Sequence, residues 1–187
     1  MKLHLSGLCL CLLFALPMLA QQKKEELHFT SNQRQLITVY KGTIFVNGNK
    51  AYVFKEDKIK YASKRNRLIE DGRTAFLFLE VTDTPNKDKL IVFNIDHSLA
   101  DSLLTAISSD VKDWDRDDNL EFGGSEAPVP YAAADSMYYL PSRWYEIRKG
   151  KISYDAELTE TVDKKVNGQF IADAPQRLLI PKKKGKN

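Results

Sequence analysis

The sequence predicts a mostly β fold of the α+β kind, an antiparallel sheet meander with one packed helix near residues 98–108. Three observations carry this. From Leu36 onward, short runs rich in β-branched and aromatic residues recur, each ended by turn chemistry. Two longer runs in the middle of the chain are apolar almost without interruption, as strands covered on both faces are. One stretch after Ser98 spaces its leucines at helical intervals.

Taken in order, residues 21–35 are polar and read as a flexible N-terminal segment. Leu36–Tyr40, Thr43–Val46 and Ala51–Phe54 are the first strands, separated by Lys41-Gly42 and by Asn47-Gly48, the latter a strong hairpin signal. Lys58–Ala62 adds a short strand, and the charged stretch from Lys64 to Arg73 reads as a loop or short helix. Thr74–Val81 and Lys89–Ile95 are the central strands, joined by turn residues at 84–88. Ser98 caps the predicted helix with Asp101 three residues on, and Leu99, Leu103, Leu104 and Ile107 supply its apolar face. After Pro128 and Pro130 come Met137–Leu140, Arg143–Arg148 and Lys151–Tyr154, with a tight turn at Gly150. No repeat of fixed period runs through the chain, which excludes a propeller or solenoid. Residues 36–175 are therefore expected to form a single β-rich domain, followed by a basic flexible tail at 176–187.

The start of the chain has the texture of a secretory signal peptide. Lys2 precedes an apolar run from Leu8 to Leu16, small residues lead to Ala20, and the chain turns polar at Gln21. The run is short for a membrane span, and nothing like it recurs, so no transmembrane segment is expected after cleavage. Both cysteines, Cys9 and Cys11, lie inside the signal, and the exported protein would have no disulfide or thiolate ligand. The expected location is the periplasm or the exterior. The 28 basic and 25 acidic residues give a net charge of +3, and Lys182, Lys183, Lys184 and Lys186 crowd the last positions. No basic stripe marks a folded element, so no nucleic-acid partner is expected.

One segment carries recognisable chemistry, Asp113-Trp-Asp-Arg-Asp-Asp-Asn-Leu-Glu121. Carboxylates at positions one, three, five and nine of a tight loop direct oxygens at one point, and position seven can add a backbone carbonyl. Such an oxygen set suits calcium. The candidate ligands are Asp113, Asp115, Asp117, Asn119 (through its carbonyl) and Glu121. Between Val111 and Gly124 the chain resembles the calcium loops of FG-GAP and VCBS-type repeats, including an aromatic residue at Trp114 and Phe122-Gly123 after the loop. That resemblance implies a calcium loop placed between strands. It departs from the family at position six, where Asp118 replaces the usual glycine in a place that favours left-handed backbone. The competing reading is a solvated acidic loop balanced by Arg116 and nearby lysines.

Catalytic signatures are lacking. His28 reads as a surface residue, and Asp96-His97-Ser98 are adjacent residues that cannot form a relay. No nucleophile-elbow, zinc-protease or phosphate-loop motif occurs. The sequence favours an exported, non-enzymatic domain whose acidic loop binds calcium for stability, possessing some extracellular or periplasmic ligand. Two alternatives stand beside it. A secreted hydrolase acting on glycan or peptide through carboxylates requires a deep pocket with convergent acids away from residues 113–121. A carbohydrate-binding module requires Tyr131, Tyr138, Tyr139, Trp144, Tyr145 and Tyr154 to form a coplanar exposed face.

Overall fold

A computed structural model describes residues 25–126, 134–175 and 178–182. The expected signal segment 1–20 with Cys9 and Cys11, Tyr131, and Lys183, Lys184 and Lys186 lie outside the described residues. No helix among the described residues is long and apolar enough to cross a membrane.

The fold is mostly β, as expected, with antiparallel sheets and one helix. The first sheet is a meander of β1 (Glu26–Thr30), β2 (Leu36–Tyr40), β3 (Thr43–Val46) and β4 (Asn49–Val53), in that order. Asn47 (φ 51°) and Gly48 (φ 79°) both take left-handed backbone, which matches the twist of the strands they join. The second sheet is also a meander, of β5 (Arg67–Asp71), β6 (Thr74–Val81), β7 (Lys89–Asp96) and β8 (Leu99–Ile107). A third sheet runs in the order β12 (Lys151–Tyr154), β11 (Arg143–Arg148), β9 (Leu120–Gly124). The hairpin-like pair β10 (Ser136–Tyr139) and β13 (Leu178–Pro181) completes the strands.

Two cores lie on opposite sides of the second sheet. Ala75, Leu77, Leu79 and Val81 of β6 meet Ile37, Val39, Ile44 and Val46 of the first sheet. Phe76 and Phe78, the alternate residues of the same strand, meet Phe122 and Ile147 of the third. Side chains alternate between faces along a strand. A strand covered on both sides is therefore apolar at nearly every position, which is why β6 reads as a hydrophobic run from Ala75 to Leu79, broken before Val81 only by the buried Glu80.

The helix expected at 98–108 is instead the edge strand β8. It pairs with β7 from Asp96↔Leu99 to Lys89↔Ile107, and Asp96 and Leu99 flank a two-residue turn with His97 at φ 51°. The register slips between Val92/Leu104 and Phe93/Ser102, leaving Leu103 as a bulge. Leu99 and Leu103, which seemed to belong to a helical face, are exposed, while Ala100 and Ala106 are the buried residues. An edge strand with a bulge breaks strict alternation, and that break imitates helical spacing.

The helix lies elsewhere, at α1 (Ala156–Asn167). Asp155 Oδ1 caps it by accepting from Leu158 N at 2.9 Å, and Gly168 ends it in left-handed backbone. The 64–73 stretch, read as loop or short helix, contains strand β5. Lys58–Ala62 contributes only an isolated bridge, Ile59 to Val81. The polar segment 21–35 contains β1, and the basic tail contains β13; each is held by pairing with a partner strand.

Candidate metal centre

The acidic loop springs from the second core. Val111 is buried there, and Lys112 then exchanges both backbone hydrogen bonds with Glu121, at 3.1 and 2.9 Å. This bridge closes the intervening residues into a loop leading into β9; an isolated bridge, not the strand implied by the resemblance, forms its first arm. Asp113 organises it from within. Its carboxylate accepts from the backbone N of Arg116 at 2.6 Å, Asp117 at 3.2 Å and Asp118 at 3.3 Å. Arg116 and Asp118 take left-handed backbone, with φ of 71° and 70°. Position six therefore has the conformation for which glycine is usual, adopted here by an aspartate.

The outcome is convergence of four carboxylates. Asp113, Asp115, Asp117 and Glu121 each present an oxygen, and these atoms all lie within 4.8 Å of one another. The three aspartates are exposed, and Glu121 is fully buried at the base. Glu121 Oε2 accepts from Trp114 N at 2.7 Å, whereas Oε1 is buried without a hydrogen-bond partner. Among the described residues no lysine or arginine forms an ion pair with any of the four. Lys112 extends over the Trp114 ring instead, 4.0 Å from its centroid. The reading of a loop neutralised by Arg116 and its neighbours has no ion pair behind it.

The electrostatics follow from this crowding. Burial pushes the Glu121 carboxyl up to about 7; the charges of Asp115, Asp117 and Asp113 add to the effect, and the Trp114 N–H opposes it. Burial likewise raises Asp115, helped by Asp117, Asp155 and Asp113. Asp117 is lowered, because the backbone and side-chain amides of Asn119 donate to it. Only oxygen donors converge here, with neither imidazole nor thiolate, which is the ligand chemistry of a hard cation.

The side chain of Asn119, whose backbone carbonyl is the expected donor, ties the loop to β11. Its Nδ2 donates to Asp117 Oδ2 at 2.7 Å and to Glu146 Oε1 at 2.8 Å. Glu146 and Trp144 were not foreseen as neighbours of the loop. They come from β11, where Glu146 pairs with Glu121 and Trp144 with Gly123. Trp144 meets Trp114 edge to face, with ring centroids 5.0 Å apart. No local spacing could reveal them, because only strand pairing joins the two segments.

The alternative sites are less well formed. A cavity of about 610 Å³ lies among β8, β11, α1 and residues 170–174. Its acids include Asp163, which is committed to Tyr139 Oη at 2.9 Å and Ser142 N at 2.8 Å, and Glu126, which pairs with Lys89. The aromatic residues do not form one flat face. Tyr139 and Trp144 are buried, and Tyr145 and Tyr154 meet at an interplanar angle of 77°. No protein family, curated protein or solved structure matches this chain.

Proposed function

We propose that this chain is an exported, non-enzymatic domain whose loop Asp113–Glu121 binds a divalent cation of the calcium class, which stabilises the fold. The observation that carries the reading is Glu121 Oε1, a buried carboxylate oxygen without a partner beside three further carboxylates. Leaving a buried charged group unsatisfied costs several kcal/mol, and a bound cation removes both that cost and the mutual repulsion. Calcium fits better than magnesium because it accepts irregular sets of six to eight oxygens and gives up water readily. Asp113, Asp115, Asp117 and Glu121 would hold it, and solvent would complete the shell at the exposed side. The signal-like start of the sequence supports the same choice, since outside the cell a site of modest affinity is filled by millimolar calcium.

A cation that binds only the folded state raises its stability by about 2.7 kcal/mol when present at about one hundred times its dissociation constant. The test is a thermal melt in calcium chloride and in EDTA. Calcium should raise the melting temperature by several degrees, and Asp115→Asn combined with Asp117→Asn should abolish the rise. A wild-type protein that melts identically in both conditions overturns the reading.

A further inference from the structure

Strand pairing sets Glu146 of β11 directly opposite Glu121 of β9. Like charges at directly opposed positions are destabilising, and here both carboxylates are largely withdrawn from water, with the Glu146 side chain 16 % exposed. Arg148 on the same strand compensates weakly, its Nη1 lying 4.0 Å from Glu146 Oε1. Burial, with the Asp117 carboxyl beside it, raises the Glu146 carboxyl, and the other close partner of Glu146 is the Asn119 amide. That NH₂ group has two hydrogens, and its nitrogen reaches Glu146 Oε1 at 2.8 Å and Asp117 Oδ2 at 2.7 Å. One half-buried loop side chain thus links a clustered carboxylate to a carboxylate fixed in a sheet.

We propose that Glu146 is a positioning residue of the cation site, holding the Asn119 amide so that Asp117 keeps the orientation a bound cation needs. The inference rests on the reading of residues 113–121 as a cation loop. Asp117 sits on an exposed part of the loop, and its orientation depends on what grips it. Asn119 provides that grip, through its backbone N at 2.9 Å as well as its side chain. Without an anchor in β11, the Asn119 side chain would be free to turn toward solvent. Groups that hold metal ligands from just outside the coordination shell commonly contribute a factor of about 10–100 to affinity.

The experiment is a titration with calcium chloride, followed by the fluorescence of Trp114 and Trp144 beside the loop and checked by calorimetry. Glu146→Ala should weaken binding about tenfold. Glu146→Gln, whose amide oxygen still accepts from Asn119, should stay close to wild type. Asn119→Ala should match the loss in Glu146→Ala, and the double variant should lose little more, because both act through one bridge. Melting in EDTA tracks folding separately; if Glu146→Ala proves too unstable to titrate, Glu146→Leu, which fills the same space but cannot accept from Asn119, takes its place and should show the same loss. Equal losses in the alanine and glutamine variants at 146, or no loss in either, overturn the positioning role while calcium binding stands. A wild-type protein that binds no calcium refutes the cation reading itself.

Discussion

Gly123 shows how one residue conditions the whole centre. It lies in β9 two positions after Glu121, with φ 144°, and pairs with Trp144. A Cβ at this position would fall 2.1 Å from the Arg143 carbonyl oxygen and 2.9 Å from Trp144 Cα. No side chain fits there, and the backbone of β11 cannot move aside without releasing Glu146 and Trp144. Gly123→Ala should therefore cost about 3 kcal/mol of stability, measurable as a shifted urea midpoint, with calcium binding weakened in parallel. This glycine was legible as part of the loop texture, but its reason was not, because the atoms that exclude a side chain belong to a strand twenty residues away. The four carboxylates of the cluster were themselves legible. Alternation of carboxylates in a tight loop is a local property, and the four that converge are those the spacing predicts.

At the scale of elements, the buried Glu80 of β6 ties separate segments together. Arg65 Nη1 donates to its Oε1 at 3.0 Å, Ser108 Oγ at 2.5 Å, and Lys60 Nζ lies 3.5 Å from its Oε2. Asn66 Oδ1 accepts from Glu80 N at 2.7 Å, so the 60–66 connection is fastened to the central strand and to the end of β8. Burial opposes the charge on Glu80, but hydrogen bonds from Ser108, Ser63 and Arg65 and the charge of Lys60 outweigh it and hold the carboxyl at about 2. A carboxyl held below its ordinary value contributes stability that is complete above pH of about 4.5 and lost as pH falls toward 2. Glu80→Gln should lower stability at neutral pH by about 3 kcal/mol. It should also flatten the acid side of the stability curve, read from urea midpoints between pH 5 and pH 2. Elements that depend on such distant partners were the ones misread. Leu99, Leu103, Leu104 and Ile107 suggested a helix, yet β7 supplies backbone pairing along their whole length. The cap at Asp155 and the glycine at 168 are local signals of the true helix that went unread.

For the whole molecule, the unliganded loop makes stability depend on pH in the opposite sense. Burial first, then the neighbouring aspartates, raise Glu121 to about 7, so the folded state without cation favours its protonated form. That contribution is complete below about 4.5 and lost as pH rises through about 7. In EDTA the melting temperature should fall between pH 5 and pH 8, and saturating calcium should remove the fall, since the cation replaces the proton. Glu121→Gln, neutral throughout, should show no such decline. Thermal melts across that range in both conditions check the sign, and a flat wild-type profile in EDTA would be inconsistent with a buried, titrating Glu121.

The amino-acid sequence by itself determined the β class, the two central strands and the four converging carboxylates, because each is written in short-range pattern: composition, near-continuous apolar runs, residue spacing. Tertiary structure alone decided that residues 99–107 are an edge strand, that β1 and β13 are ordered by their partners, and that Glu146 stands opposite Glu121. Those outcomes depend on pairing between segments far apart in the chain, whose energies appear only once the backbones meet and solvent is excluded between them.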